Sequence, residues 1–186
     1  MQDIVFPQGN EQDFITLAKR LGFTGLVFVY KNKSDFSKNL FARNALLVKP
    51  EAVKGAKLAK ILTVCTASRE ALERGADIVF GFETTYGKDK THYRESGLNQ
   101  VLCRIATDQG TRIGFCAEAI LEASGQARTT LLGRLMQNIF LCRKFKTPVC
   151  IASFATKPEN MRAPAELVPL FKDLGMDIGT AKSALN

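Results

Sequence analysis

Seven short apolar runs, rich in β-branched and aromatic residues, recur along this 186-residue sequence with amphipathic segments between them. The runs are nearly continuous and do not alternate with polar residues, which is typical of parallel strands covered on both faces. This arrangement predicts an α/β fold, a TIM-barrel-like βα barrel of about seven strands, in a single domain over residues 1–186. An open, doubly wound sheet fits the same periodicity and stays as the alternative. The runs lie at residues 4–6, 26–30, 45–48, 61–65, 78–80, 113–116 and 149–151.

A repeated join between helix and strand supports this fold class. Four times an amphipathic segment ends at a glycine, and a further apolar segment follows within a few residues. Glycine readily adopts the left-handed backbone conformation that ends many helices. The longest helix is predicted over residues 127–145, before Pro148. The four glycines are Gly22, Gly75, Gly110 and Gly175.

The charge balance favours an anionic partner. The chain carries 26 Lys and Arg against 18 Asp and Glu, a formal net charge of +8, and its pI is about 9.4. Such a charge attracts polyanions, which makes nucleic acid a candidate partner, although solubility alone also explains many basic proteins. No apolar run reaches the ~18 residues that a membrane helix needs, and the first residues lack the pattern of a signal peptide. We therefore expect a cytoplasmic protein with no membrane partner.

The cysteines indicate neither a disulfide framework nor a zinc site. They are five in number, show no C-x-x-C spacing, and each lies within apolar sequence. We expect them to be small, buried, reduced side chains. They are Cys65, Cys103, Cys116, Cys142 and Cys150.

Residues suited to catalysis are scarce. The single histidine, His92, excludes a His-rich hydrolytic metal site, because such sites need several imidazole and carboxylate ligands. Lys49 follows the third apolar run and could form a Schiff base, and Cys116 beside Glu118 or His92 could form a nucleophile pair. A surface lysine and a buried thiol are the more ordinary roles. The alternative function is thus a small-molecule barrel enzyme, a lyase or a phosphoesterase, that uses Lys49 or carboxylates at strand ends.

Cations near predicted strand ends and helix starts are the remaining candidates for binding. Arg128 lies in the first turn of the longest helix, where a positive charge opposes the helix dipole and indicates an anionic partner. Arg162 lies in a proline-containing loop and either presents its charge to a ligand or pairs with Glu166 to brace the next helix. The candidate cations are Arg162, Arg128, Lys157, Lys88, Lys90 and Arg94.

Several motifs of the C-terminal half, over about residues 96–184, resemble a known family. Together they are similar to protein component 3 of archaeal ribonuclease P, the counterpart of the eukaryotic thirty-kilodalton subunit of ribonuclease P and ribonuclease MRP. The motifs are Ser96-Gly97-Leu98-Asn99-Gln100-Val101-Leu102, Ile113-Gly114-Phe115, Arg128 with Leu131-Leu132 and Met136, Ser153-x-Ala155, Arg162-x-Pro164-x-Glu166-Leu167, Leu174-Gly175-Met176 and Ala181-x-Ser183.

The resemblance implies an RNA-based endoribonuclease that removes the 5′ leader of precursor tRNA. In that family the RNA, with its magnesium ions, is the catalyst. The barrel protein, paired with the small Pop-five subunit, supports the RNA and meets precursor tRNA indirectly. The family is related to metal-dependent phosphoesterase barrels but has lost their metal ligands. The chain is therefore expected to hold no catalytic residue, metal or cofactor, and its candidate cations are expected to contact RNA.

Three positions depart from the family pattern. Family members often carry His, Ser and Asp where this chain has Gln100, Phe154 and Glu166. A polar role at the first two positions is therefore in doubt, whereas Glu166 keeps the negative charge.

Overall fold

Seven parallel strands form one sheet in a computed structural model that describes residues 1–84, 87, 89, 90, 92 and 94–185. The strands lie side by side in chain order, and every neighbouring pair is parallel. The seven predicted strands and the barrel-type order are thereby confirmed. The strands are β1 (Gln2–Val5), β2 (Gly25–Tyr30), β3 (Ala42–Leu47), β4 (Leu62–Thr66), β5 (Ile78–Phe80), β6 (Arg112–Cys116) and β7 (Val149–Ala152).

Within the residues just given, eight α-helices surround or follow the strands. The connection from β2 to β3, all of which the structure describes, contains a 3-10 turn at Lys33–Asp35 and no α-helix. The helices are α1 (Glu11–Arg20), α2 (Val53–Leu58), α3 (Arg69–Glu73), α4 (Gln100–Gln109), α5 (Ala117–Glu122), α6 (Gly125–Phe145), α7 (Pro164–Asp173) and α8 (Ile178–Ser183).

The sheet nearly closes between β1 and β7. Val5 pairs with Ala155 in an isolated parallel bridge just beyond the end of β7. At the other end of the same seam, the backbone of residues 184–185 accepts hydrogen bonds from the Gln2 N–H (2.7 Å) and the Ile151 N–H (2.9 Å). The C-terminal residues thus occupy part of the space that an eighth strand would fill.

Apolar side chains fill both sides of the strand ring. One cluster lies between the strands and the helices and includes Phe14, Phe115, Leu135 and Phe171. A smaller cluster lies inside the ring. Because both faces of the strands are buried, their sequences read as continuous apolar runs. The inner cluster consists of Ile4, Val27, Val29, Ala45, Val64, Ile78, Cys116, Cys150, Ala152 and Phe154.

The joins from helix to strand behave as predicted in three of the four cases. Gly22, Gly75 and Gly110 have φ of 85°, 70° and 66° and precede strands. Gly175 also has a positive φ, of 99°, but the chain continues into α8. The helix-to-strand join predicted at Gly175 is therefore wrong, because Asp177 caps α8, which begins at Ile178.

The barrel has two distinct ends, the base and the mouth. Strands begin at the base and end at the mouth. All five cysteines are buried and free, as expected. Within the described part of the chain, no helix is long and apolar enough to cross a membrane.

Candidate functional site

Three phenyl rings fill the centre of the mouth. Phe80 and Phe154 stack with their ring centroids 4.6 Å apart and an interplanar angle of 8°, and Phe6 lies 5.7 Å from Phe80. Gly114 makes room for them, because a Cβ there would lie 2.8 Å from atoms of both Phe80 and Phe154. A barrel enzyme places its polar site at this end of the strands. In this protein the centre of the mouth is apolar, and Phe154 contributes one of the three rings that fill it.

Asp3 braces the seam between β1 and β7. Its buried carboxylate accepts hydrogen bonds from the backbone N–H of Ser153 (2.7 Å), the Ser153 hydroxyl (2.6 Å) and the backbone N–H of Ile4 (2.9 Å). Burial raises the pKa of Asp3 to about 6, although the bonds from Ser153 oppose the shift. Ser153 is therefore part of the barrel closure.

Glu118, at the start of α5, holds the loop that follows β7. Its Oε1 accepts hydrogen bonds from the Thr156 backbone N–H (2.8 Å), the Thr156 hydroxyl (3.0 Å) and the Asn160 side-chain amide (2.8 Å). A carboxylate that is held by three donors orders its surroundings and is poorly placed to act as a general base.

Cys116 is a buried cap residue. Its Sγ accepts the Ala119 backbone N–H (3.4 Å) and lies 3.5 Å from the Ser153 carbonyl oxygen. Burial raises the pKa of the Cys116 thiol to about 12, so the nucleophilic thiolate is scarce at neutral pH. The suggested partner His92 is exposed in the polar loop after β5. These contacts do not favour the nucleophile pair.

Lys49 does not favour the Schiff-base alternative. It is exposed and precedes a 3-10 turn at Pro50–Ala52, so it lacks the apolar surroundings that activate such lysines. Among the described residues, no group of three or more His, Cys, Asp or Glu side chains could hold a metal ion.

A groove of about 750 Å³ runs between the loop after β5 and helices α5 and α6. Arg134 of α6 is buried beside it and donates from Nε to Asp89 Oδ1 (2.8 Å), from Nη1 to the Glu83 carbonyl oxygen (3.2 Å) and from Nη2 to the Gly87 carbonyl oxygen. Arg134 therefore ties the loop after β5 to α6. The sequence interpretation missed this residue, because one arginine in a long amphipathic helix looks like part of the exposed face.

Glu83 places a buried carboxyl group at the mouth. Its side chain is buried, and no donor in the part of the chain that the structure describes bonds to either carboxylate oxygen. Burial raises the pKa of Glu83 to about 7. The protonated form of this carboxyl is thus strongly populated at neutral pH.

Arg128 contacts the end of the preceding helix. Its Nε donates to the Ala123 carbonyl oxygen (2.7 Å) and its Nη2 to the Leu121 carbonyl oxygen (3.2 Å). Both carbonyls belong to the C-terminal turn of α5, the negative end of that helix dipole. Arg128 thus meets partial negative charge within the protein, and its contact with RNA stays a prediction. The helix that carries Arg128 begins at Gly125, two residues earlier than predicted.

Arg162 bonds to its own loop. Its Nη1 donates to the carbonyl oxygens of Glu159 (2.9 Å) and Met161 (2.7 Å). Glu166 accepts the Ala163 backbone N–H at its Oε2 (2.9 Å) and so caps α7. The alternative in which Arg162 pairs with Glu166 is wrong, because Nη1 of Arg162 bonds to loop carbonyls and Glu166 bonds to the backbone N–H before α7.

The other candidate cations lie in two loops. Lys157 is exposed and follows β7, in the same loop as Arg162. Lys90 and Arg94 are exposed in the polar loop after β5, and Arg94 lies against α6, since a Cβ at Gly133 would be 2.7 Å from its Nε. Lys88 lies outside the described residues.

Fold and site together define a βα-barrel protein whose mouth is filled with aromatic side chains. Residues 88–186 match the family described as RNase P subunit p30. The chain belongs to this family. The match covers more than half of the chain and includes the motifs that suggested the resemblance.

Curated relatives are ribonuclease P proteins from archaea. The chain is 33% identical over 93 residues to ribonuclease P protein component 3 of Methanosarcina acetivorans, a match that covers 50% of this chain and 39% of the relative. It is 29% identical over 119 residues to the protein of the same name from Thermococcus kodakarensis, over 64% of this chain and 51% of the relative. The matched region thus spans about two fifths to one half of these relatives.

Solved structures share the fold. A chain in the cryo-EM structure of archaeal ribonuclease P with mature tRNA superposes with a TM-score of 0.76 at 20% identity, over 96% of this chain and 85% of that one. A prolidase complexed with N-methylphosphonate-L-proline superposes with a TM-score of 0.55 at 7% identity, over 99% of this chain and 74% of that one.

Proposed function

We propose that this chain is a protein subunit of ribonuclease P, which supports the catalytic RNA in removing the 5′ leader from precursor tRNA. The observation that carries the proposal is the family match over residues 88–186. The archaeal relatives named ribonuclease P protein component 3, and the shared fold with a chain of archaeal ribonuclease P, support the same role.

In this proposal the polypeptide is a component of the endoribonuclease and does not itself cleave. The RNA and its magnesium ions carry out the reaction, and the protein binds no cofactor. The packed phenyl rings at the mouth, the buried thiol of Cys116 and the hydrogen-bonded carboxylate of Glu118 support this division of labour.

The partners are the ribonuclease P RNA, precursor tRNA through that RNA, and other protein subunits, with the small Pop-five subunit as the expected neighbour. The site of action is the cytoplasm. Met136 and Phe140 lie one turn apart on α6 and are 48% and 51% exposed, so they form an apolar stripe. Exposed apolar stripes of this kind suit contact with a protein subunit.

Arginine side chains at the mouth suit contacts with phosphate. Cations near an RNA backbone neutralise its repulsion and release counterions. Both bonds of Arg162 come from Nη1, so its remaining N–H groups are left for a phosphate. The loop carbonyls hold the guanidinium in place and reduce the entropy lost on binding.

Reconstitution tests the proposal. The ribonuclease P RNA and the other protein subunits are combined with and without this chain, and leader removal is measured at limiting magnesium. We expect faster cleavage with the chain and weaker stimulation by a double variant, Arg128→Ala with Arg162→Ala. Arg69→Ala with Arg74→Ala serves as the matched control, since it removes the same charge and these surface arginines pair with Glu73 (2.7 Å) and Glu70 (3.2 Å). Equal cleavage with and without the wild-type chain would contradict the proposed function.

A further inference from the structure

Two arginines lie on strands at the base of the barrel. Arg43 is the second residue of β3 and Arg112 the first residue of β6, and both line one cavity of about 140 Å³. The lining of this cavity holds no acidic side chain among the described residues, and most of it is apolar. A cleft with charges of one sign and low-dielectric walls concentrates the electric field.

Two lysines extend this positive region. Lys57 and Lys60 line a second, shallow groove of about 240 Å³ together with Arg43 and Asp77. Asp77 is largely occupied: it accepts the Thr63 backbone N–H (2.8 Å) and hydroxyl (2.6 Å), and it lies 3.6 Å from the Lys57 Nζ. The four cations Arg43, Lys57, Lys60 and Arg112 are called the basal cluster.

Arg43 and Lys60 keep their charges free of internal partners. Both are exposed, and no carboxylate in the described part of the chain lies within 4 Å of either side-chain nitrogen group. Lys60 also has φ of 55°, at the position where α1, α3 and α4 end in glycine. A non-glycine residue in this conformation costs on the order of 1 kcal/mol.

Helix dipoles do not explain the whole basal cluster. Lysines at the end of α2 are favoured by its dipole, and this accounts for Lys57 and Lys60. Arg43 and Arg112 belong to strands, which have only small net dipoles. Arg43 also has no carboxylate of the described residues within 4 Å, so its charge is available to another partner.

We propose that the basal cluster binds the phosphate backbone of RNA at the N-terminal end of the barrel, the end opposite the strand-end loops. The inference rests on the proposed function, from which it takes the RNA partner. Arg43 and Arg112 lie at the cavity, and Lys57 and Lys60 extend the positive surface outward along the shallow groove. Contacts of this kind position an RNA without reading its sequence.

A double variant, Arg43→Ala with Lys60→Ala, tests the basal cluster. Each phosphate contact contributes a salt slope of about 0.7 to 0.9, so the loss of two lowers affinity about 25- to 60-fold at 0.1 M salt. The probes are labelled ribonuclease P RNA and a labelled RNA duplex of unrelated sequence, with binding followed by fluorescence anisotropy between 0.05 and 0.3 M salt, ~0.05 being the low-salt end of the range. Lys31→Ala with Lys33→Ala, an equal charge change after β2 at the mouth, is expected to change affinity less than about threefold, since screening acts beyond ~8 Å.

Lys60→Gly separates binding from folding. Glycine relieves the left-handed conformation, so the melting temperature should stay the same or rise while affinity for both probes falls about 5- to 8-fold. A fall in affinity that is accompanied by lower thermal stability would overturn this interpretation of Lys60.

The outcomes distinguish this inference from the proposed function. In one outcome, the wild-type chain stimulates leader removal and the Arg43/Lys60 variant binds both probes as the Lys31/Lys33 control does. The inference that the basal cluster binds RNA is then wrong, and the proposed function stands. If the variant keeps RNA affinity but no longer co-elutes with the other subunits, the cluster binds an acidic protein surface and the inference is overturned. If the wild-type chain does not stimulate cleavage, the proposed function fails. Binding of the unrelated duplex by the wild-type chain and the Arg43/Lys60 variant then tests the inference about the basal cluster. Failure of the wild-type chain to bind that duplex at ~0.05 M salt also overturns the inference.

Discussion

The mouth and the base of the barrel use their charged side chains differently. At the mouth, Arg128 and Arg162 donate hydrogen bonds to backbone carbonyls, and Glu118 accepts three hydrogen bonds from the loop that follows β7. At the base, Arg43 and Lys60 face solvent with no carboxylate of the described residues within 4 Å. The arginines of the mouth thus hold loops in place and offer only their remaining N–H groups to a partner, whereas Arg43 and Lys60 have no carboxylate that competes with one.

A change of pH is expected to affect the mouth more than any substitution described below. The pKa of Glu83 is raised to about 7 from an ordinary 4.5, so the folded state holds a proton that the unfolded state has lost between these values. Stability should therefore fall as pH rises from about 4.5 to 7, by on the order of 3 kcal/mol from this group. Glu83→Gln should remove that part of the decline, as measured by urea unfolding at pH 5 and 8.

Glu122→Gln is the control for this experiment. Glu122 lines the same groove but is exposed, so its replacement should leave the pH dependence of the wild-type protein in place. An unchanged decline in Glu83→Gln would show that the mouth does not hold a protonated carboxyl.

The packing of the mouth is tested by Gly114→Ala. The added methyl group would meet Phe80 and Phe154 at 2.8 Å, and over-packing of this kind should lower the free energy of unfolding by about 2 kcal/mol. Gly55→Ala is the matched control: a methyl group added to this helical glycine would meet no atom within 4 Å, so the change should stabilise by about 0.5 to 1 kcal/mol. Equal effects in chemical denaturation would contradict the packing described for the mouth.

Replacing two lysines whose backbone is left-handed tests whether side chains brace the base. Lys60 and Lys146 have φ of 55° and 54°, so Lys60→Gly and Lys146→Gly should each stabilise the protein by about 0.5 to 1 kcal/mol. Gly22→Ala, at φ of 85°, should have the opposite effect in the same thermal melts. Destabilisation by both lysine changes would mean that their side chains brace the base as those of the mouth do.

The smallest effect is expected for Arg128→Ala. Two bonds to the end of α5 are lost from an exposed side chain, at a cost of about 0.5 kcal/mol in urea unfolding. Arg69→Ala, which loses one exposed ion pair, should change stability less. A larger loss of unfolding free energy in Arg69→Ala than in Arg128→Ala would contradict the role of Arg128 in holding the end of α5.

The sequence predicted the strands because burial on both faces leaves a continuous apolar run, a signal that needs no knowledge of neighbours. The joins at Gly22, Gly75 and Gly110 were also predictable from a local signal, because glycine after an amphipathic segment readily adopts the left-handed conformation that ends a helix. Closure of the seam was not, since Asp3 and Ser153 meet only in the folded chain and each looks ordinary in its own segment.

The candidate site was predicted less completely. The candidate cations lie at the mouth because barrel proteins place their functional groups on the loops after the strands, and contacts with carbonyls of neighbouring segments leave no pattern in the sequence. Arg43 and Arg112 were missed, as a cation at the start of a strand carries no local signal. Phe154 was noted only as a departure, although it forms half of the stacked pair at the mouth.

The hydrogen bond between the Gln2 N–H and the Leu185 carbonyl has a consequence for the order of folding. β1 is synthesised before β7, but its outer edge at the base gains this partner only after residues 184–185 have been synthesised. Until then β1 and β7 expose unpaired backbone groups, which are templates for pairing with other chains. The nascent protein should accordingly depend on protection from aggregation until residues 184–185 have paired with the seam, and loss of these residues should increase that dependence more than it changes RNA affinity.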